Sequence, residues 1–432
     1  MPIADYMAKP IAKSAAKAFV STYDPNKPTF QLIFHENWNP FLAELKNRKI
    51  TLPQYMIDEV ERMIACGSLE MGFEVYECPN CHRHHIIGYT CKSRFCNRCG
   101  AKATRERAHR IANSTLDVKH RHIVFTIDER LRPYFSPITH PGWLNFLFDA
   151  AKEAIFYTFN KQKTEKNKNA SKKKRRRKKK KSTITPGFII TLHSYGRDLK
   201  WNPHVHVLCT EGGMDQNHVY KEIQYINYES LRKSFMKQLL DKMKAALPPD
   251  SKELKDFKCL VNTLYKDDKN GFYVNGPPMK KCKSGKDQVV KYMIRYAGKP
   301  AMAQSRLTKY DYHAKTVSYF YVDHKTSEHK SVDNEPIFRF MMKLMRHIPL
   351  PQFKMVRYYG IYATCDHRHK NAIKRRLKHQ NKYKYGHELP RSYRERLIST
   401  FGVDPFLCTC GHRMEFVDSY IPPRFKGGGD PP

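Results

Sequence analysis

Hydrophobic and polar positions alternate in blocks along the chain, and the blocks predict elements. Residues 28–64 carry apolar residues at helical spacing, enough for two or three short helices; Pro53 falls near the start of the last, where its missing N–H is harmless. Runs of β-branched and aromatic residues predict strands at 119–127 (KHRHIVFTI), 255–265, 271–275 and 316–325, and two strands across 186–209 joined by a turn at Gly196–Pro203. Helices are predicted at 141–160, at 228–246 and at 286–297, the last stopped by Gly298 and Pro300. From Pro336 onward the pattern is helical and very basic, and the closing GGGDPP reads as a mobile tail. No internal repeat is present.

Length and composition bound these elements. A chain of 432 residues suggests two to four modules, and 40% hydrophobic with 12% aromatic residues is enough to build real cores. No apolar run approaches the roughly 18 residues of a spanning helix, which excludes an integral membrane protein. The N-terminus has no continuous apolar stretch of the kind a secretory signal needs. Charge changes the picture most. Lys plus Arg is 79 against 41 for Asp plus Glu, a formal +38, so a polyanion is expected as partner, nucleic acid before anionic membrane. Ten of these charges are consecutive, Lys172 to Lys181, and +28 remains without them. The surrounding segment 161–183 has no large apolar residue and reads as a disordered basic insertion. Its Lys172, Arg175, Arg176, Arg177 and Lys181 suit nonspecific phosphate attraction; a solvated linker or a nuclear localisation signal has the same composition.

Twelve cysteines are too few for a disulfide-dense secreted scaffold, and their clustering points to metal in a reducing compartment. Cys78-x2-Cys81 and Cys96-x2-Cys99, fourteen residues apart, would close a tetrahedral Zn²⁺ site with no open position. Cys66 and Cys91 are left over, and Cys91, His82, His84 and His85 are possible substitutes in the set. Arg83, Lys92, Arg94 and Arg98 give this ribbon a basic rim suited to DNA. Cys365, His367, His369, Cys408 and Cys410 could form a second site, though their spacing is irregular.

Two further patterns carry chemistry only in combination. His204-Val205-His206 puts two imidazoles on one strand face, where they could share a divalent ion; as a lone motif, two half-buried polar residues explain it as well. Tyr292 and Tyr296 are four apart, which on a helix stacks both phenols on one face about 6 Å apart; ordinary core packing has the same spacing. What distinguishes this chain is the order: zinc ribbon, His-x-His strand and paired-tyrosine helix in a protein of charge +38.

That order resembles the two-tyrosine HUH transposases of rolling-circle insertion sequences, the insertion-sequence-91 family. HENWNPFLAELKNRK, MIACGSLEMGFEVYECPNC and CKSRFCNRCG look like the family's zinc-binding domain, and LHSYGRDLKWNPHVHVLCTEGG looks like its HUH block. YMIRYAGKPAMAQSRL with YVDHKT looks like its tyrosine block, and FRFMMKLMRHIPLPQFKMVRYYGIYA resembles its C-terminal block. The resemblance spans roughly residues 30–365, and the long basic run departs from it.

The resemblance implies an α+β fold: an antiparallel-sheet HUH nuclease domain flanked by helices, with an N-terminal helical and zinc-ribbon part and a basic C-terminal region. The expected boundaries are 1–65, 66–110, 111–345 (interrupted at 161–183) and 346–432. It implies Mg²⁺ or Mn²⁺ on His204 and His206, with His193 as first choice of third ligand and Gln288 or Asp198 as alternatives. It implies Tyr292 and Tyr296 as nucleophiles that nick a strand and form a 5′-phosphotyrosine, on single-stranded or hairpin DNA ends, in a bacterial cytoplasm beside the nucleoid. Arg357, Tyr358 and Tyr359 are candidate DNA contacts, with packing an equal explanation. No GxxxxGK[ST] is present, consistent with chemistry that needs no nucleotide cofactor. The competing expectations are a rolling-circle replication initiator or relaxase with the same chemistry, and a zinc-ribbon DNA-binding protein without catalysis.

Overall fold

The structure, a computed structural model, describes residues 28–100, 114–169, 184–277, 300–323, 328–363, 369–384 and 406–422, with isolated positions between them that include Val289, Tyr292 and Tyr296. The run Lys172–Lys181, Gln288, Cys365, His367 and the GGGDPP tail lie outside the described residues.

The first described elements are α1 (Phe30–Asn47), whose first turn is capped by the Thr29 hydroxyl, and α2 (Gln54–Ile64), which starts directly after Pro53. The β1 (Phe73–Glu77) and β2 (His84–Gly88) strands form a hairpin. Next come β3 (His120–Thr126), α3 (Leu144–Asn169), β4 (Thr185–Tyr195), β5 (Trp201–Met214) and β6 (Tyr220–Glu222). They are followed by α4 (Tyr228–Ala246), α5 (Lys252–Asp267) and β7 (Val274–Asn275). The rest is β8 (Leu307–Asp311), β9 (Thr316–Val322), β10 (His329–Pro336), α6 (Ile337–Met345), β11 (Val356–Gly360), α7 (Lys370–Lys384) and β12 (Glu415–Tyr420). Among the described residues all strand pairs are antiparallel, so the fold is α+β, as expected.

The central sheet runs β11-β4-β5-β3-β7, with β6 added to β5. Side chains of a strand alternate between faces, and the register decides which residues share one. His193 lies opposite His204, Thr191 opposite His206, and Val124 opposite His206 on the other side. The residues between them, Ile190, Leu192, Val205, Val207, Ile123 and Phe125, therefore point the other way. They are buried in one core with Phe148 and Ile155 of α3, Phe235 and Leu239 of α4, and Phe257 and Leu264 of α5. Helices thus cover the apolar face and leave the histidine face to a second layer, to which Val289 and Tyr292 belong.

Two smaller sheets complete the fold, β10-β9-β8 and β12-β1-β2. Helices α1 and α2 share a core with Val317 and Tyr319 of β9 and Phe340 and Met341 of α6. Contacts therefore cross the expected boundaries: β8 to β10 join the N-terminal helices, β11 edges the central sheet, and β12 pairs with β1.

Two expectations are corrected. Residues 255–265 are part of helix α5, not a strand. Ser251 caps that helix by accepting from the Leu254 N–H, and its buried residues Phe257 and Leu264 stand seven apart on one stripe, a helical period. Residues 161–169 continue α3 rather than opening a disordered insertion. Lys, Gln and Glu are good helix formers, and extending a helix already nucleated adds a hydrogen bond for each residue fixed. Among the described residues, no helix is long and apolar enough to cross a membrane.

Gly360 ends β11 at φ +58°, where a Cβ would run into the carbonyl of Pro186. Gly360→Ala is expected to lower unfolding stability by at least about 1–2 kcal/mol, the cost of a left-handed conformation for an L-residue. A urea midpoint unchanged from the parent protein would contradict this.

Candidate active site and metal centres

The β4–β5 register assembles the histidine cluster. His193, His204 and His206 each offer a ligand nitrogen, and these atoms lie within 4.8 Å of one another. Nε2 of His204 is 3.1 Å from Nε2 of His206. Two nitrogens bound at about 2.1 Å and at right angles around one ion stand about 3.0 Å apart, so the pair has the spacing of neighbouring ligands. Backbone contacts set the tautomers. Nδ1 of His204 donates to the Asn202 carbonyl at 2.7 Å and leaves Nε2 as the lone pair. Nε2 of His193 donates to the Tyr296 carbonyl at 2.6 Å and leaves Nδ1 as its lone pair. Burial pushes the His193 pKa down to about 3, helped by His204 nearby; burial also lowers His204 and holds His206 well below the usual imidazole range. The rings are neutral, the form in which imidazole binds a metal. Of the alternative third ligands, Asp198 is turned away to the Lys200 N–H and ammonium.

The two tyrosines stand over this cluster in different states. Tyr292 is 1% exposed, and its hydroxyl donates to the His206 carbonyl at 2.7 Å and lies 3.1 Å from Thr191 Oγ1. Burial pushes its pKa well up, so the phenol stays protonated. Tyr296 is only partly buried, with its ring stacked on His206 (centroids 4.2 Å) and on His122 (4.5 Å), and 5.5 Å from the Tyr292 ring. With His193, Tyr195, His347 and Arg94 it lines a cavity of about 50 Å³. Arg94 comes from the segment between Cys91 and Cys96.

One residue of the site went unread in the sequence. His122 on β3 shares the histidine face, and its Nε2 is 2.9 Å from Nδ1 of His206. The signal was there: His120-x-His122 repeats the spacing of His204-x-His206 inside a run otherwise noticed only for its apolar residues. Of the candidate DNA contacts, Tyr359 stacks on Phe188 and Arg357 lies over the Phe148 ring at 4.0 Å, so both are engaged in packing.

The expected cysteine set is not brought together; the structure sorts the thiols into two clusters. Cys66, Cys91, Cys96 and Cys99 form a buried one, with Sγ separations of 3.5 Å (Cys66–Cys99) and 3.7 Å (Cys91–Cys99, Cys66–Cys96). Cys78 and Cys81 instead meet Cys408 and Cys410. The reason is the hairpin between them. Cys78 and Cys81 sit at its turn, while Cys66 and Cys91 flank its open end. At about 3.4 Å per residue a five-residue strand holds those ends roughly 17 Å apart, too far for one ion. A tetrahedral zinc with bonds of about 2.3 Å places its sulfurs about 3.8 Å apart, which the spacing in the buried cluster fits. His82 and His84 face Glu77 and belong to neither cluster. His369 pairs with His218 at 2.9 Å rather than with the cysteines.

Residues 33–127 match the family model "Transposase zinc-binding domain", and residues 187–371 match the model "Putative transposase". In both matched regions the chain is similar to transposases of the insertion-sequence-91 type. It is 29% identical over 375 residues to the "Transposase for insertion sequence element IS801" of Pseudomonas savastanoi pv. phaseolicola, covering 84% of this chain and 83% of that protein. It is 22% identical to "Putative transposase y4qJ" of Sinorhizobium fredii (strain NBRC 101917 / NGR234), covering 85% of this chain and 89% of that one. No solved structure matches the chain. The transposase zinc domain spans the buried cysteine cluster, and structural zinc accompanies it.

Replacing His122 by alanine removes the partner that orients His206. If the histidine cluster holds a divalent ion, the change is expected to weaken Mn²⁺ binding by roughly 10–100-fold, as loss of an outer-shell partner does elsewhere. Calorimetric titration reads it, and an affinity equal to that of the parent protein would exclude His122 from the site.

Proposed function

We propose that this transposase cuts one DNA strand by attack of a tyrosine beside a divalent ion and carries the strand as a 5′-phosphotyrosine. The observation that supports it is the Tyr296 ring stacked on His206, next to His193 and His204, whose lone pairs converge. Three neutral imidazoles fit a divalent ion, and nitrogen donors favour Mn²⁺ over Mg²⁺. Such an ion supplies Lewis acidity to the scissile phosphate.

The chain's own residues then have distinct roles. The Tyr296 oxygen forms the new P–O bond, the bond to the 3′ oxygen breaks, and the leaving strand departs with a 3′-OH. The ester keeps the bond energy, so no nucleotide is consumed. Arg94 borders the same cavity and offers positive charge to a phosphate there. Tyr292 is held back: with its hydroxyl bonded to the His206 carbonyl, it must rotate out before it can attack, which suits a second cut during strand exchange. A larger cavity of about 690 Å³, lined by Trp201, Arg132, Arg346, Met56 and Met345, offers apolar surface and guanidinium groups for unstacked bases, in keeping with single-stranded or hairpin DNA. Zinc at Cys66, Cys91, Cys96 and Cys99 holds the segment that presents Arg94.

Incubation of labelled single-stranded element ends with Mn²⁺ is expected to give a denaturant-resistant adduct. Tyr296→Phe should reduce the first cleavage by at least about a hundredfold. Tyr292→Phe should leave first cleavage within a few-fold of the parent and lose strand transfer. The reverse pattern would overturn the assignment of roles, and wild-type nicking by the double variant would overturn the chemistry. DNA affinity should also fall steeply with salt, by a log–log slope of about −0.7 per phosphate neutralised on single strands. A flat salt response would contradict the part given to the +38 charge.

A further inference from the structure

The second cysteine cluster is made from the two ends of the chain. Cys78 Sγ is 3.4 Å from Cys410 Sγ and Cys81 Sγ is 3.5 Å from Cys408 Sγ, although the partners are 332 and 327 residues apart in sequence. All four are free thiols within 4.8 Å of one another. Each pair sits on a tight turn closed by its own backbone. Cys78 N–H donates to the Arg83 carbonyl and His82 N–H to the Cys78 carbonyl; Cys408 N–H donates to the His412 carbonyl and Gly411 N–H to the Cys408 carbonyl. Turns of this kind present two sulfurs in one direction. Asn80 Nδ2 adds a donor 3.9 Å from Cys410 Sγ, a contact a thiolate can accept.

Apolar packing around the cluster is slight. Its buried residues are Cys78, Cys408 and Met414, with Tyr76 partly buried against them. Tyr76 lies edge-on to Phe406 (4.9 Å) and Phe416 (5.8 Å), and the adjoining sheet core is Phe73, Val75, Ile86 and Tyr420. So small a core rarely holds a terminal strand in place unaided, and ligation commonly supplies what is missing. Four sulfurs at tetrahedral spacing suit zinc.

We propose that Cys78, Cys81, Cys408 and Cys410 bind a second structural zinc, which ties β12 to the N-terminal hairpin. The zinc-bearing part of the protein is then a split domain that closes only once the C-terminal cysteines have been synthesised. The matched zinc-binding region, residues 33–127, contains Cys78 and Cys81 but neither Cys408 nor Cys410, so it does not hold the complete site. The inference does not depend on the strand-cutting chemistry. The two zincs differ in access, because Cys81 and Cys410 are exposed whereas the other cluster is buried throughout.

The test uses the full chain. Elemental analysis is expected to find two zinc ions per chain, and Cys408→Ser with Cys410→Ser to leave one. A chromogenic chelator should withdraw zinc from the parent in a fast and a slow phase, with the fast phase missing from the variant. For the unmodified protein, mass spectrometry after alkylation should show Cys408 and Cys410 protected until chelator is added, and proteolysis of the β12 segment should begin at the same point. Cys410→His, which keeps a ligand, should retain two ions. One zinc per parent chain, two in the double serine variant, iron in place of zinc, or alkylation of Cys408 and Cys410 without chelator would each overturn the proposal.

Discussion

The pairing of β4 with β5 is the constraint on which the site rests. Opposed residues of an antiparallel pair share a face, so setting His193 across from His204 and Thr191 across from His206 fixes two surfaces at once. One receives Ile190, Leu192, Val205 and Val207 and is buried by three helices; the other receives the imidazoles. A slip of one residue would turn the histidines into the core and the valines toward the tyrosines. The apolar face therefore guards the register, and the register guards the geometry of the histidine cluster. Desolvation that keeps the rings neutral comes from the same burial.

Around that hairpin the fold uses the ends of the chain to complete its parts. The N-terminal helices share a core with β9 and α6, β11 lies against β4, and β12 closes the sheet that begins with β1. The buried cysteine cluster lies in the core of the N-terminal helices, and the segment between Cys91 and Cys96 carries Arg94 to the cavity beside Tyr296. One segment thereby joins the buried cysteine cluster to the place where the tyrosines stand.

Much of the candidate site was legible because its signals are local. His204 and His206 are two apart, Tyr292 and Tyr296 four apart, and each spacing matches the period of its element. His193 could be reached because a short turn makes β4 and β5 neighbours. The cysteines were harder. Cys-x2-Cys spacing says that two thiols share an ion but not which other pair joins them, and the nearer pair in sequence lies at the far end of a hairpin. The true partners of Cys78 and Cys81 are more than 300 residues away, beyond any local pattern. Helix α5 was misread because FKCLVNTLY is dense in β-favouring residues, while the Ser251 cap and the Phe257 to Leu264 stripe specify a helix. His122 was hidden in plain strand pattern: its importance lies in a contact made across β3 and β5.

Anomalous diffraction from crystals of the full-length transposase grown with Mn²⁺ tests the central claim most directly. The account predicts a single strong peak bonded to nitrogens of His193, His204 and His206, on the side of the sheet where the Tyr296 ring lies. Manganese bound elsewhere, or a histidine cluster that stays empty at saturating Mn²⁺, would contradict it.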